Sequence, residues 1–117
     1  MYTMVLSILH RATGLFLSFG SLILVGWLAA AALGPAAYAR FASCAASLPV
    51  RLIIAAGLAS ACYHVFAGLR HLAWDAGYGF EKRAARASGA LVLVAAASAF
   101  AALLCLSPVG RWLGIAP

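Results

Sequence analysis

The stretch YHVFAGLRHLAWD, Tyr63 to Asp75, decides the fold. It gathers His64, Arg70, His71 and Asp75 within a few turns, directly after the uncharged run LIIAAGLASAC. A soluble amphipathic helix would instead carry a polar stripe along its whole length. Ionisable groups at the end of so apolar a segment belong to a bilayer-spanning helix. There they are costly and usually have a function.

The rest of the chain has the same character. Of 117 residues, 67% are apolar and only 9% are charged. Mean hydropathy is +1.07. A soluble domain of this length needs far more polar surface. The charges leave three long neutral runs, from Ala12 to Leu33, from Leu52 to Leu69 with only His64 inside, and from Ala87 to Gly110. Each approaches the ~20 residues that cross a ~30 Å hydrocarbon core. The expected fold is therefore all-α, an integral membrane protein with three transmembrane helices forming a single domain over 1–117. The helices are expected at about 3–33, 50–74 and 85–106. Helices are required because a spanning segment must satisfy its own backbone groups. Gly34-Pro35 should stop the first, Pro49 should open the second, and Pro108 and Gly110 should end the third. Residues 34–48 are expected to form a short external segment with at most a partial turn of helix. WLAAAALGPAAYA is similar to the small-residue end of a secretory signal. The apolar run before it is about twice the usual ~7–15-residue signal core, so retention in the membrane is expected.

Net charge is +6, which in a soluble protein would suggest nucleic acid. Here Lys and Arg sit at the ends of the neutral runs and read as topology signals and headgroup contacts, so no nucleic-acid partner is expected. Arg11, Arg70, Lys82, Arg83 and Arg86 fall on one side, and Arg40, Arg51 and Arg111 on the other. Five against three predicts a cytoplasmic N-terminus and an external C-terminus. Cys44, Cys62 and Cys105 have neither CxxC nor CxxCH spacing, which argues against covalent haem and a zinc site.

On the second helix, His64, Gly68, His71 and Asp75 follow at steps of four, three and four, which is one face. Gly57 and Ala61 extend it outward. The strip suits a flat, bulky ligand, with an imidazole for a metal bond and a glycine that lets a macrocycle approach. The plainer alternative is a histidine bonded to a neighbouring helix. On the first helix, in SILHRATG, Ser7, Arg11, Gly14 and Ser18 share a face, with His10 beside it. Arg11 is either a snorkelling anchor or a clamp for an anionic or carbonyl-bearing ligand, to which Ser7 could also donate. His64 lies six residues deeper than Arg70, about 9 Å, while His10 stands at the surface end of its helix. Different depths predict that His10 and His64 do not oppose each other across one iron. His71, on the same helix as His64, cannot do so either. A second axial histidine would come from another chain.

SILHRATG and HVFAGLRHLAWD together resemble the cytochrome b subunits of bacterial succinate dehydrogenase, the larger anchors of respiratory complex II. The family pattern, S-x-x-H-R-x-[ST]-G followed by H-x-x-x-G-x-R-H-x-x-x-D, is met at every fixed position. The resemblance covers most of the chain. It implies a bacterial inner-membrane subunit with a periplasmic C-terminus and no succinate-oxidising site of its own. It also implies a haem b shared with a second small membrane anchor subunit, and docking of the iron–sulfur and flavoprotein subunits on the cytoplasmic side. His64 would be the haem axial ligand, with the other histidine on the partner anchor. Ser7 and Arg11 would line a ubiquinone site. His10, Arg11 and His71 would lie around the haem propionates or the quinone, and Asp75 on a proton route. The family usually carries a longer segment before the serine motif, where six residues precede Ser7 here. A fumarate reductase anchor is a related alternative. A haem-free scaffold or small transporter subunit is an alternative of another class.

Overall fold

A computed structural model of the chain describes residues 2–114. It contains five helices and, among the described residues, no strand: α1 (Tyr2–Ala32), α2 (Pro35–Ala45), α3 (Leu48–Asp75), α4 (Lys82–Leu106) and α5 (Pro108–Leu113). α1, α3 and α4 are long and apolar enough to cross a membrane. The three expected spans are present, with ends within three residues of those read from the breakers.

The connections differ from expectation. Residues 34–48 hold a full helix, α2, of 11 residues instead of a partial turn. Gly34 takes a left-handed φ of 104°, which reverses the chain. Pro35 then opens α2, and alanines sustain it. α2 lies back against α1, with the Phe41 ring 3.4 Å from where a Gly26 Cβ would stand. α4 ends at Leu106, ahead of Pro108 as expected, and Pro108 then starts a further short helix, α5. The Ser107 hydroxyl accepts from the Val109 amide at 3.3 Å, and Gly114 closes α5 at φ 74°. Arg51 at the start of α3 donates to the Trp112 carbonyl, tying α5 to the bundle.

The core is small. Leu6, Cys62, Tyr63, Ala67, Val92 and Ala96 are buried together, with Phe66, Ala99 and Phe100 against them. Without a strong hydrophobic drive between helices in lipid, close approach depends on small residues and interhelical hydrogen bonds. Gly89 supplies the first on α4: a Cβ there would stand 2.7 Å from Leu6 Cδ1 and 2.8 Å from Tyr2 Cε1. Tyr63 supplies the second, its buried hydroxyl donating to the Leu6 carbonyl at 2.8 Å.

Arg70 provides a further tie, and its role corrects the sequence reading. Its place among the charges at the span ends predicts a headgroup contact, yet it is only 6% exposed. Its Nε donates to Ser88 Oγ at 3.0 Å and Nη2 to the Ala85 carbonyl at 3.1 Å, both on α4. Its guanidinium lies 4.0 Å from the Trp74 ring centroid, a cation–π contact. This arginine clamps α3 to α4.

Arg70→Met keeps the apolar stem and removes the donors. It is expected to destabilise the bundle by about 1–3 kcal/mol, and Tyr63→Phe by about 0.5–1.5 kcal/mol. Denaturant titration in mixed micelles measures both, and an unchanged midpoint for Arg70→Met would refute the clamp.

Candidate functional site

α1 and α3 interlock through two histidines and two glycines. His64 of α3 lies over Gly14 of α1, where an added Cβ would stand 2.9 Å from the His64 Cε1. His10 of α1 lies beside Gly68 of α3, its Cε1 3.6 Å from a Cβ built there. The His64 imidazole occupies the space left by the missing side chain of Gly14, and the His10 imidazole packs alongside Gly68 as its close neighbour from α1.

The rings form a three-membered stack. His10 and His64 have centroids 4.1 Å apart at 15°, and His10 and His71 are 4.7 Å apart at 18°. His10 is therefore sandwiched between the two α3 histidines. This corrects the depth estimate, which separated His10 from His64. The helices cross closely enough for His10 to reach both. Rings stacked face to face do not point their nitrogens at one another across a shared atom.

Hydrogen bonds assign the His64 tautomer. Its Nδ1 is 3.2 Å from the His10 carbonyl oxygen, which can only accept, so Nδ1 carries the proton. Nε2 is then the lone-pair nitrogen. His71 Nδ1 likewise donates to the Ala67 carbonyl at 2.8 Å. His10 Nδ1 is buried and has no partner among the described residues. Thr13 Oγ1 donates to the His10 carbonyl at 2.9 Å and lies 3.3 Å from His64 Nδ1. Nothing in the sequence marks Thr13 for this contact. Its spacing of three from His10 puts it on the same helix face, but the link to α3 is visible only in three dimensions.

The remaining candidates stay apart from the stack. Ser7 is half-buried, and Arg11 is exposed with no hydrogen bond or ion pair among the described residues. Arg11 is next in sequence to His10 but about 100° around the helix from it. Asp75 is exposed at the end of α3. Among the described residues no three His, Cys, Asp or Glu side chains converge to hold a metal ion. Further along the membrane, about 10 Å from His64 at 1.5 Å per residue, a Cβ on Gly57 would meet no atom within 4 Å, and Gly20 of α1 is equally open.

Residues 1–103 match the family described as succinate dehydrogenase/fumarate reductase transmembrane subunit. The chain is similar to the succinate dehydrogenase cytochrome b556 subunit of Rickettsia prowazekii, 43% identical over 89 residues, covering 76% of this chain and 68% of that protein. The protein of the same name from Paracoccus denitrificans is 39% identical over 87 residues, 74% of this chain and 67% of the other.

The interlock predicts opposite outcomes at two glycines of α1. Gly14→Ala forces a stacked, hydrogen-bonded ring to move and should lower stability by about 1–3 kcal/mol. Gly20→Ala enters open space and should be neutral, or stabilising by up to about 1 kcal/mol through helix propensity. Thermal unfolding in detergent compares them, and equal effects would contradict the interlock.

Proposed function

Because the chain belongs to the succinate dehydrogenase/fumarate reductase transmembrane subunit family, we propose that it is the haem b-binding membrane anchor of a succinate:ubiquinone oxidoreductase. The bonding of His64 carries this reading: the proton on Nδ1 goes to the His10 carbonyl, which leaves Nε2 as a donor to iron. Histidines that ligate metals usually donate their other N–H in this way, which fixes the ring and raises its basicity. The open strip at Gly57 and the small Ala61 leave space for a macrocycle beside α3. The residues of this chain therefore fit the group. Its chemistry there would be one-electron storage inside the membrane.

Haem b held by two histidines needs a second one from outside this chain, since His10 is stacked on His64 instead of opposing it. That ligand belongs to a second small membrane anchor subunit. His10 and Arg11 are the donors for propionates, and His71, whose Nδ1 proton goes to the Ala67 carbonyl, lines the pocket with Nε2 as an acceptor.

Ser7 and Arg11 hold ubiquinone. The Ser7 hydroxyl donates to a quinone carbonyl, and the exposed Arg11 fork stabilises the negative charge that develops on its oxygen. Asp75, exposed at the cytoplasmic end, belongs to the route by which protons arrive. The iron–sulfur and flavoprotein subunits dock on this side, where Lys82, Arg83 and Arg86 lie. The N-terminus is cytoplasmic and the C-terminus periplasmic, in the inner membrane of a bacterium. Succinate is oxidised by the soluble subunits. The names of the relatives favour succinate dehydrogenase over the fumarate reductase alternative.

His64→Ala in the assembled complex should abolish the b-type signal of the reduced-minus-oxidised spectrum while the other subunits still copurify. A full signal would return His64 to the role of a helix-bonding residue. Arg11→Ala should lower quinone reduction at least tenfold, about 1.4 kcal/mol or more in barrier, while electron transfer to a soluble dye changes less than twofold. Equal losses in the two assays would mean failed assembly and no specific role at the quinone.

A further inference from the structure

The fixed positions of SILHRATG include a residue to which the proposed function gives no task. Thr13 contacts both partners of the bond that sets the His64 tautomer. Its hydroxyl proton goes to the His10 carbonyl at 2.9 Å, three residues earlier on α1. A hydroxyl has one proton to give. With that proton committed, the Oγ1 lone pairs face His64 Nδ1 at 3.3 Å as an acceptor. The Nδ1 proton therefore lies between two oxygens, the His10 carbonyl at 3.2 Å and Thr13 Oγ1. Gly14, the next residue, gives the ring its place over α1.

We infer that Thr13 is a positioning residue that sets the electron-donating strength of His64 toward iron, by supplying a second hydrogen-bond acceptor to its Nδ1–H. The inference rests on the haem reading above and extends it to a residue that would not touch the haem. Two oxygens facing an N–H place more negative charge on the imidazole than one does. Hydrogen bonding to the outer nitrogen raises ligand basicity. A more basic axial imidazole stabilises ferric over ferrous iron. The loss of the hydroxyl as a donor to the His10 carbonyl works in the opposite direction. It is the smaller effect, because that carbonyl sits within α1 and keeps its place in the helix ladder. Replacing Oγ1 by a methyl should thus raise the haem potential.

The experiment is redox titration of the b-type absorbance in the purified, assembled complex, for wild type, Thr13→Val, Thr13→Ser and Thr13→Ala. Subunit composition and haem content are measured on each. Thr13→Val keeps the branched shape and removes the oxygen. Thr13→Ser and Thr13→Ala differ from each other by that oxygen alone, so the comparison survives if the valine variant does not assemble. The expected result is a ferric-to-ferrous ratio, at fixed ambient potential, lowered about threefold to tenfold in Val and Ala, with Ser close to wild type. A tenfold change corresponds to about 59 mV for a one-electron couple. Unchanged ratios in haem-loaded Val and Ala variants would overturn the inference while leaving His64 as ligand. A shift of Ser equal to that of Ala would overturn it too, since packing and not the hydroxyl would then be responsible. An assembled wild-type complex with no b-type signal would overturn the haem reading and this inference with it.

Discussion

The reciprocal seating of His64 on Gly14 and His10 against Gly68 is the constraint on which the rest of the structure depends. It fixes the separation and the register of α1 and α3 together, because the His64 ring fits only where Gly14 leaves no side chain, while His10 packs in van der Waals contact at Gly68. With that crossing set, the Tyr63 hydroxyl reaches the Leu6 carbonyl. Leu6 in turn enters the space above Gly89, which seats α4. The buried core is small, and polar ties at each crossing accompany it. This is how helices are held where lipid is as apolar as the side chains it would replace.

The polar groups divide into two sets. Tyr63, Arg70, Thr13, His64 and His71 have partners within the bundle. Arg11 and Asp75 face outward. A buried guanidinium without partners would be very costly, and Arg70 avoids this with two acceptors on α4 and the face of Trp74. The outward groups sit near the ends of the spans, where water, headgroups or other subunits can meet them. Between these ends α1 presents a long apolar surface, with Phe19 and Leu22 each 67% exposed, as suits a membrane-spanning helix.

The motif on α1 acquires a physical reading position by position. His10 offers its ring to the stack and its carbonyl to His64, Thr13 bonds the same carbonyl, and Gly14 clears the space. Arg11, one residue from His10, is turned away by the helical rotation and left available to a ligand. One helical turn thus combines a structural joint with an exposed charge, which explains why residue types so different are adjacent in SILHRATG.

The sequence by itself determined the all-α membrane class, the three spans, the distribution of charge and the residues with chemistry in them. These follow from hydropathy, helical period and the cost of charge in lipid, which act within a segment and can be read along a line. α2 and α5 were less legible. Pro35 and Pro108 each serve equally as the end of one helix and the start of another, and only the path of the chain chooses. The roles of Arg70, Thr13 and the two glycines were decided by the tertiary structure alone. A side chain on one helix does not reveal which backbone oxygen or missing Cβ on another will face it. The stack of His10 between His64 and His71 was misjudged for the same reason: depth along a helix axis is additive in residues, but the reach across a crossing depends on how close two backbones can come, and Gly14 and Gly68 brought these two close.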